Sequence, residues 1–380
     1  MAGLYIHIPL CTQRCSYCDF FSTTLLNKRV ELIDALCKEM KMRVDYLPNG
    51  LTIQTIYIGG GTPSLLTSDE INTLIDCALE TFPHVDIKEM EITMEANPND
   101  LTDEYLKKLS GTAINRLSIG CQSFNDTTLN IINRRHNANE AKEAIANARK
   151  YGFNNISVDL IYGMPSQTID SWKDDVATAI SLKPNHISAY CLELHEGSLL
   201  TKKIAKGELT AMDESDCLTC FKHLREATSA AGYEHYEISN FALSGFRSRH
   251  NSSYWHDIPY LGIGPAAHSY DGKSRQWNVS HLPKYLKAIS ESRLDAEVEN
   301  LTLTEKYNDY ILTALRTSDG IDFQYIDDKF GKRFNEFAKE VATVQLKENN
   351  VEIEGEKCHL TEKGIFISDS IFTEFIVLDD

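Results

Sequence analysis

Leu4-Tyr5-Ile6-His7-Ile8-Pro9-Leu10-Cys11-Thr12-Gln13-Arg14-Cys15-Ser16-Tyr17-Cys18 decides the fold. Leu4–Ile8 is a short, β-branched apolar run and reads as a buried strand. A C-x3-C-x2-C cluster, Cys11, Cys15 and Cys18, follows it at once. The start has no basic n-region and its apolar stretch stops at Cys11, so it does not read as a signal peptide. No apolar run approaches the roughly 20 residues of a spanning helix. A cytoplasmic location is therefore expected, where structural disulfides are rare. Of the ten cysteines, Cys37, Cys77, Cys121, Cys191, Cys217, Cys220 and Cys358 are spread out and read as small core residues. Three cysteines within eight residues read as a metal site, a match expected by chance below roughly one time in a hundred. Three thiolates on one loop can each bind one iron of a [4Fe–4S] cluster and leave the fourth iron open. Such an iron can chelate a small molecule through an amine and a carboxylate. Zinc is the alternative, but it favours four ligands in pairs, and no second pair lies nearby.

Beyond this loop, strand-like and helix-like segments alternate. Strand patterns recur at Thr52–Ile58, Met90–Met94, Ile114–Ile119, Ile156–Ile161 and His186–Cys191. Helical spacing marks Lys28–Leu47, Ser68–Phe82, Asp103–Leu109, Asn139–Tyr151 and Ile169–Leu182. Alternation of this kind implies βαβ units around a parallel sheet. The fold class is therefore α/β. Six units suit an incomplete (β/α)6 TIM-type barrel better than a complete barrel of about 250 residues, with a doubly wound open sheet as the alternative.

The second half differs. Asp213–Ala231 reads as a helix and Tyr233–Phe241 as a strand, followed by an aromatic, polar loop to Tyr260 and a turn at Gly262-Ile263-Gly264-Pro265. Helices at Leu303–Leu315 and Phe334–Glu348, short strands at Val351–Glu354 and His359–Leu360, and a helix at Ser368–Ile376 outline an α+β winged-helix-like cap. The expected division is 1–200 for the barrel, 201–300 for an extension and linker, and 301–380 for the cap. Lys+Arg is 38 against Asp+Glu 55, a net charge of -17, which disfavours nucleic acid and anionic lipid as main partners.

Further motifs are Tyr5–Pro9 (YIHIP), Gly59–Ser64 (GGGTPS), Glu95–Pro98 (EANP), Arg116–Phe124 (RLSIGCQSF), Arg134–His136 (RRH), Val158–Pro165 (VDLIYGMP) and His250–Trp255 (HNSSYW). Together with C-x3-C-x2-C after the first strand, they resemble the radical SAM superfamily over essentially the whole chain. Within it they are similar to the branch holding the oxygen-independent coproporphyrinogen III dehydrogenase of porphyrin biosynthesis and the HemW-type haem chaperones. The resemblance implies S-adenosylmethionine (SAM) on the open iron. It places the Gly59-Gly60-Gly61-Thr62 backbone at the methionine amino group and Tyr5 beside the carboxylate. Arg134 would pair with that carboxylate, Glu95 would accept from the amine, and Gln122 and Asp159 would take the ribose hydroxyls. Glu95 and Asp159 sit in otherwise apolar strands, where an unpartnered carboxylate is costly; a structural hydrogen-bonding role is the alternative for each. Cys121 and Asn133 depart from residues common in the family, Val and Gly.

Three features separate the branches. The dehydrogenase resembles C-x3-C-x2-C-x-C, where this chain has Phe20. It also carries an extension before the cluster loop, where ten residues precede Cys11 here. His250, Tyr254 and Trp255 match the H-N-x-x-Y-W motif that the resemblance associates with haem. His250 can serve as an axial ligand while Tyr254 and Trp255 cover a porphyrin face; an aromatic loop packing the barrel is the alternative, and His7 and His268 are rival ligands. Cys217-x-x-Cys220 lies in a helix without a partner pair and reads as core. The reading is a haem-binding radical SAM protein that passes haem to acceptors such as respiratory enzymes and can form a homodimer. Coproporphyrinogen dehydrogenase and a haem binder with a vestigial cluster are the alternatives.

Overall fold

The computed structural model describes residues 1–378. Six parallel strands follow one another in space as in sequence: β1 (Ala2–Ile8), β2 (Ile53–Gly60), β3 (Glu91–Ala96), β4 (Arg116–Gln122), β5 (Asn155–Tyr162) and β6 (His186–Cys191). Helices Arg29–Met42, Ser68–Thr81, Asp103–Leu109, Ala138–Lys150 and Ile169–Ser181 connect them. Local chemistry sets the helix starts. Thr67 and Glu70 form a reciprocal capping box, as do Asn137 with Glu140 and Thr168 with Ser171.

Alternate residues of each strand serve two layers. Leu4, Ile6, Ile8, Ile56, Ile58, Ile92, Met94, Leu117, Ile119, Ile156, Val158 and Leu160 join the apolar core under the helices. The other set is polar. Strand register lines up Tyr5 with Tyr57, Tyr57 with Thr93, Glu95 with Ser118, Gly120 with Asp159, and Asp159 with Ser188. The barrel is therefore apolar outside and hydrophilic within.

The sheet continues past both ends of this run. Beyond β6 come β8 (Asn240–Ala242) and β7 (Glu234–Glu237), antiparallel; the expected single strand Tyr233–Phe241 is thus a hairpin. On the other side, β9 (Tyr260–Ile263) pairs parallel with β1, and β10 (His268–Tyr270), β11 (Ser274–Asn278) and β12 (Ala296–Asn300) extend the sheet antiparallel. The expected turn at Gly262–Pro265 is therefore half strand. Gly262 belongs to β9, where a Cβ would come within 2.1 Å of the His268 carbonyl oxygen, and the turn falls at Gly264, φ 109°. The aromatic loop contains a helix, Arg249–Trp255, capped by Ser248.

The extension is riveted to the helix after β1 by a buried network. Glu39 accepts from the Gly264 amide (2.8 Å), Asn278 (2.7 Å) and the Tyr285 hydroxyl (2.7 Å) and pairs with Arg43 (3.3 Å). Arg43 also donates to the Gly262 carbonyl (2.9 Å) and Gln276 (2.6 Å).

The C-terminal cap holds a second apolar core, including Tyr307, Ile311, Phe330, Phe334 and Phe372. Its three-stranded antiparallel sheet orders β13 (Ile321–Asp322), β15 (Lys357–Leu360) and β14 (Val351–Glu354). Helices Leu303–Ala314, Phe323–Phe330, Lys332–Lys347 and Ser368–Phe375 complete it. Among the described residues no helix is long and apolar enough to cross a membrane.

Candidate active site

A cleft of about 620 Å³ opens at the C-terminal ends of the parallel strands, where β/α barrels place their chemistry. Cys11, Cys15 and Cys18 line it together with Gly60, Gly61, Thr62, Glu95, Gln122, Arg134 and Asp159. Residues up to 148 positions apart in sequence thus meet in one concavity, because each ends or follows a neighbouring strand.

The triple glycine is required by close packing. At Gly60 (φ 113°) a Cβ would lie 2.5 Å from the His7 ring, and at Gly61 it would lie 2.7 Å from the Leu10 carbonyl oxygen. The glycine loop therefore passes directly against the cysteine loop, and Thr62 Oγ1 lies 3.3 Å from Cys11 Sγ. On the opposite side, Arg134 donates to Cys15 Sγ (3.4 Å) and to the Gly120 carbonyl, while its Nε is buried with no partner among the described residues. Asn133, before it, adopts φ 61°, a left-handed conformation that Gly and Asn tolerate best, so the departure from Gly is accommodated.

Glu95 accepts from the Tyr57 hydroxyl and the Gly60 amide, both at 2.9 Å. Asp159 accepts from Ser118 (2.9 and 3.0 Å) and Ser157 (3.1 Å). Gln122 sits at a bulge in β4 with φ 66°, a strained conformation that recurs at ligand sites. Burial pushes the Glu95 carboxyl up to about 7, opposed by the Gly60 amide and the Tyr57 hydroxyl and reinforced by Asp159. A carboxyl raised by folding stabilises the fold fully below about 4.5, and that contribution disappears as pH rises through about 7. In Glu95→Gln, the stability difference between pH 5 and pH 8 should shrink by about 2.5 kcal/mol. Denaturant melts of parent and variant across that range check this; parallel curves would contradict it.

The donor set suits an iron–sulfur cluster. Among the described residues, ligand atoms all within 4.8 Å of one another belong to Glu352, Glu354 and His359 on the β14–β15 hairpin, not to the cysteine triad. Cys11, Cys15 and Cys18 all line one cleft, a donor set of three thiolates that can each take one iron of a cubane.

Two expectations need correction. Tyr5 does not line the cleft itself: its ring lies in the barrel interior beside Tyr57, centroids 6.1 Å apart, and its hydroxyl hydrogen-bonds His7 Nδ1 (2.8 Å). Its cross-strand neighbour Tyr57 faces the cleft instead. His250 is 1% exposed, with Nδ1 on the Thr55 hydroxyl (2.8 Å) and Nε2 on the Tyr254 hydroxyl (2.9 Å). Both nitrogens are occupied, so the ring offers none to haem iron. Tyr254 packs edge-on against Tyr260, and Trp255 lies under Arg316 of the cap; neither presents a platform to the cleft. Of the rival histidines, His7 is buried, with its nitrogens on Tyr5 and the Phe21 carbonyl, while His268 is exposed and stacks on Trp277. Among the cysteines read as core, Cys220 is fully buried, but Cys191 is exposed on the cleft rim, with its sulfur and that of Cys217 both close to Gly163.

Tyr57, Tyr190, Asn97, Arg135 and Asn251 also line the cleft and were not singled out. Arg135 is held by Asp100 (3.0 Å). Tyr57 and Tyr190 occupy inward strand positions that strict alternation marks; Asn251 lies within the His250–Trp255 motif.

Residues 5–179 match the Radical SAM superfamily and residues 301–367 the HemN C-terminal domain. The chain is 33% identical over 380 residues to a protein named heme chaperone HemW from Lactococcus lactis, covering 99% of this chain and 97% of that one. It is 31% identical over 379 residues to the Bacillus subtilis protein of the same name, covering 99% of each. Among solved structures, Escherichia coli coproporphyrinogen III oxidase HemN, described as a radical SAM enzyme, superposes with TM-score 0.83 at 22% identity, covering 98% of this chain and 89% of that one. The barrel with its cysteine-lined cleft, the cap and the full-length likeness together establish that the chain belongs to the HemW family of radical SAM proteins.

Proposed function

We propose that the protein is a haem chaperone: it binds haem and hands it to haem-requiring acceptors, respiratory enzymes among them. The observation that carries this reading is likeness to proteins named heme chaperone HemW along 97% or more of both chains. Phe20, at the place where the dehydrogenase resemblance expects a fourth cysteine, supports it. That ring is 70% exposed on the cleft lining and cannot ligate iron.

Cys11, Cys15 and Cys18 would hold the cluster, which when bound supplies the open iron and the electron for reductive SAM chemistry. Arg134 would pair with the SAM carboxylate; its Nε, buried without a partner among the described residues, supports this as a donor in want of an acceptor. Glu95 would receive the amine, and Gln122 and Asp159 the ribose hydroxyls. Tyr57 would hold Glu95 in place. An exposed Cys191 beside Cys217 and a thiolate-held cluster suit the reducing cytoplasm.

The test is anaerobic. Reconstituted protein given hemin should develop a Soret band, and mixing with an apo-haemoprotein should move that absorption to the acceptor. The same protein given coproporphyrinogen III, SAM and reductant should yield no protoporphyrinogen. Turnover to protoporphyrinogen without hemin transfer would overturn the chaperone reading in favour of the dehydrogenase.

A further inference from the structure

The His250–Trp255 motif is the part of the sequence whose expected role the structure does not support, yet its helix is anchored with unusual care. Glu91, the first residue of β3, accepts from the backbone amides of Arg249 (3.0 Å) and His250 (2.9 Å). This fixes the helix at the barrel end opposite the cysteines. From there Asn251 reaches the cleft lining, and the His250 ring enters the barrel interior.

Every side of that ring is engaged. Thr55 and Tyr254 hold its two nitrogens. Gly3 makes room for it, since a Cβ there would lie 3.2 Å from both Cε1 and Nδ1. Its face stacks on Tyr57, centroids 5.1 Å apart and planes 28° from parallel. Tyr57 in turn donates to Glu95 at 2.9 Å. A contiguous path therefore runs from the imidazole, through a stacked phenol, to the carboxylate at the cleft.

Serving as an iron ligand would require the ring to give up the Tyr254 bond, leave its stack and open a cavity beneath Tyr57. Burial lowers its pKa to about 3, so the ring stays neutral and protonation does not release it near neutral pH. We infer that His250 is a positioning residue of the SAM site: it fixes the Tyr57 ring, and through it the Glu95 carboxylate that receives the SAM amine. This rests on the SAM reading of the cleft. A short, directed hydrogen bond to a charged group is worth about a tenfold or larger change in affinity when its donor is lost or misplaced.

The experiment titrates SAM into the full-length protein with its cluster reconstituted and reduced, following the cluster's EPR spectrum, and in parallel titrates hemin. His250→Ala should weaken SAM about tenfold or more and leave the Soret band at parent intensity. Tyr57→Phe should weaken SAM to a similar degree. The double variant should be no worse than Tyr57→Phe alone, because both act through one hydrogen bond. His250→Gln, which keeps a polar reach to Thr55, should recover part of the affinity and guards against an Ala variant that does not fold. Unchanged SAM affinity in both His250 variants, or fully additive losses in the double variant, would overturn the inference. A lost Soret band with intact SAM affinity would overturn it in favour of iron ligation. Parent protein that binds no SAM would overturn the cleft reading, and this inference with it.

Discussion

Cys15→Ala protein, purified without air, should be folded and nearly colourless. Iron should drop from about four atoms per chain to below about one after identical reconstitution, because a cubane held by three thiolates is not retained by two. Cys15 is the thiol that Arg134 contacts from across the cleft, so its loss also strips the guanidinium of that anchor. Cys11→Ala and Cys18→Ala should behave alike, since all three line one cavity. Cys121→Ala is the control: its thiol is fully buried in β4 and turned to the apolar layer, so iron content should match the parent. Iron and sulfide analysis with far-UV circular dichroism reads all four. Parent-like iron in Cys15→Ala would remove that residue from the cluster.

Glu39→Ala should cost about 3–5 kcal/mol of stability, the range for removing one partner of a buried ion pair. Glu39 is completely buried and takes part in four polar contacts. Without it, Arg43 is left as a buried charge, and the Gly264 amide and Asn278 lose an acceptor. Three of the partners lie between 262 and 285, so the loss acts on the junction of β9 and its hairpins with the barrel. Chemical denaturation gives the measurement; a change below about 1 kcal/mol would show that the extension is held chiefly by apolar packing. Because β9 sits beside β1, protease cleavage after residue 260 should also appear in the variant.

The barrel was legible because its strands carry short apolar runs and its helices start at strong caps, as at Thr67 and Thr168. The cysteine loop, the glycine loop, Glu95, Gln122, Arg134 and Asp159 all reach one cleft because they share the C-terminal ends of parallel strands. The inner layer was less visible. Thr55 and Tyr57, Thr93 and Glu95, Ser157 and Asp159, Ser188 and Tyr190 alternate with the apolar set, and a strict period-two reading would have added Tyr57 to the inward residues beside Tyr5. Strands β11 and β12 escaped because Ser-Arg-Gln-Trp-Asn and Ala-Glu-Val-Glu-Asn carry no apolar alternation; they lie at the sheet's margin with much of their surface exposed. The helix Arg249–Trp255 escaped for another reason. Its sequence has weak helix formers, and its start is set by Glu91, some 160 positions away, which no local pattern can reveal.

On the proposed reading, the cleft carries a cubane on three cysteines whose open iron receives SAM. EPR of the anaerobically reconstituted, reduced protein, recorded before and after adding SAM, tests it most directly. The parent should give a [4Fe–4S]+ signal whose g-values shift on adding SAM, and Cys15→Ala should give none. Bound zinc in place of iron, or a cluster signal that SAM leaves unmoved, would contradict it.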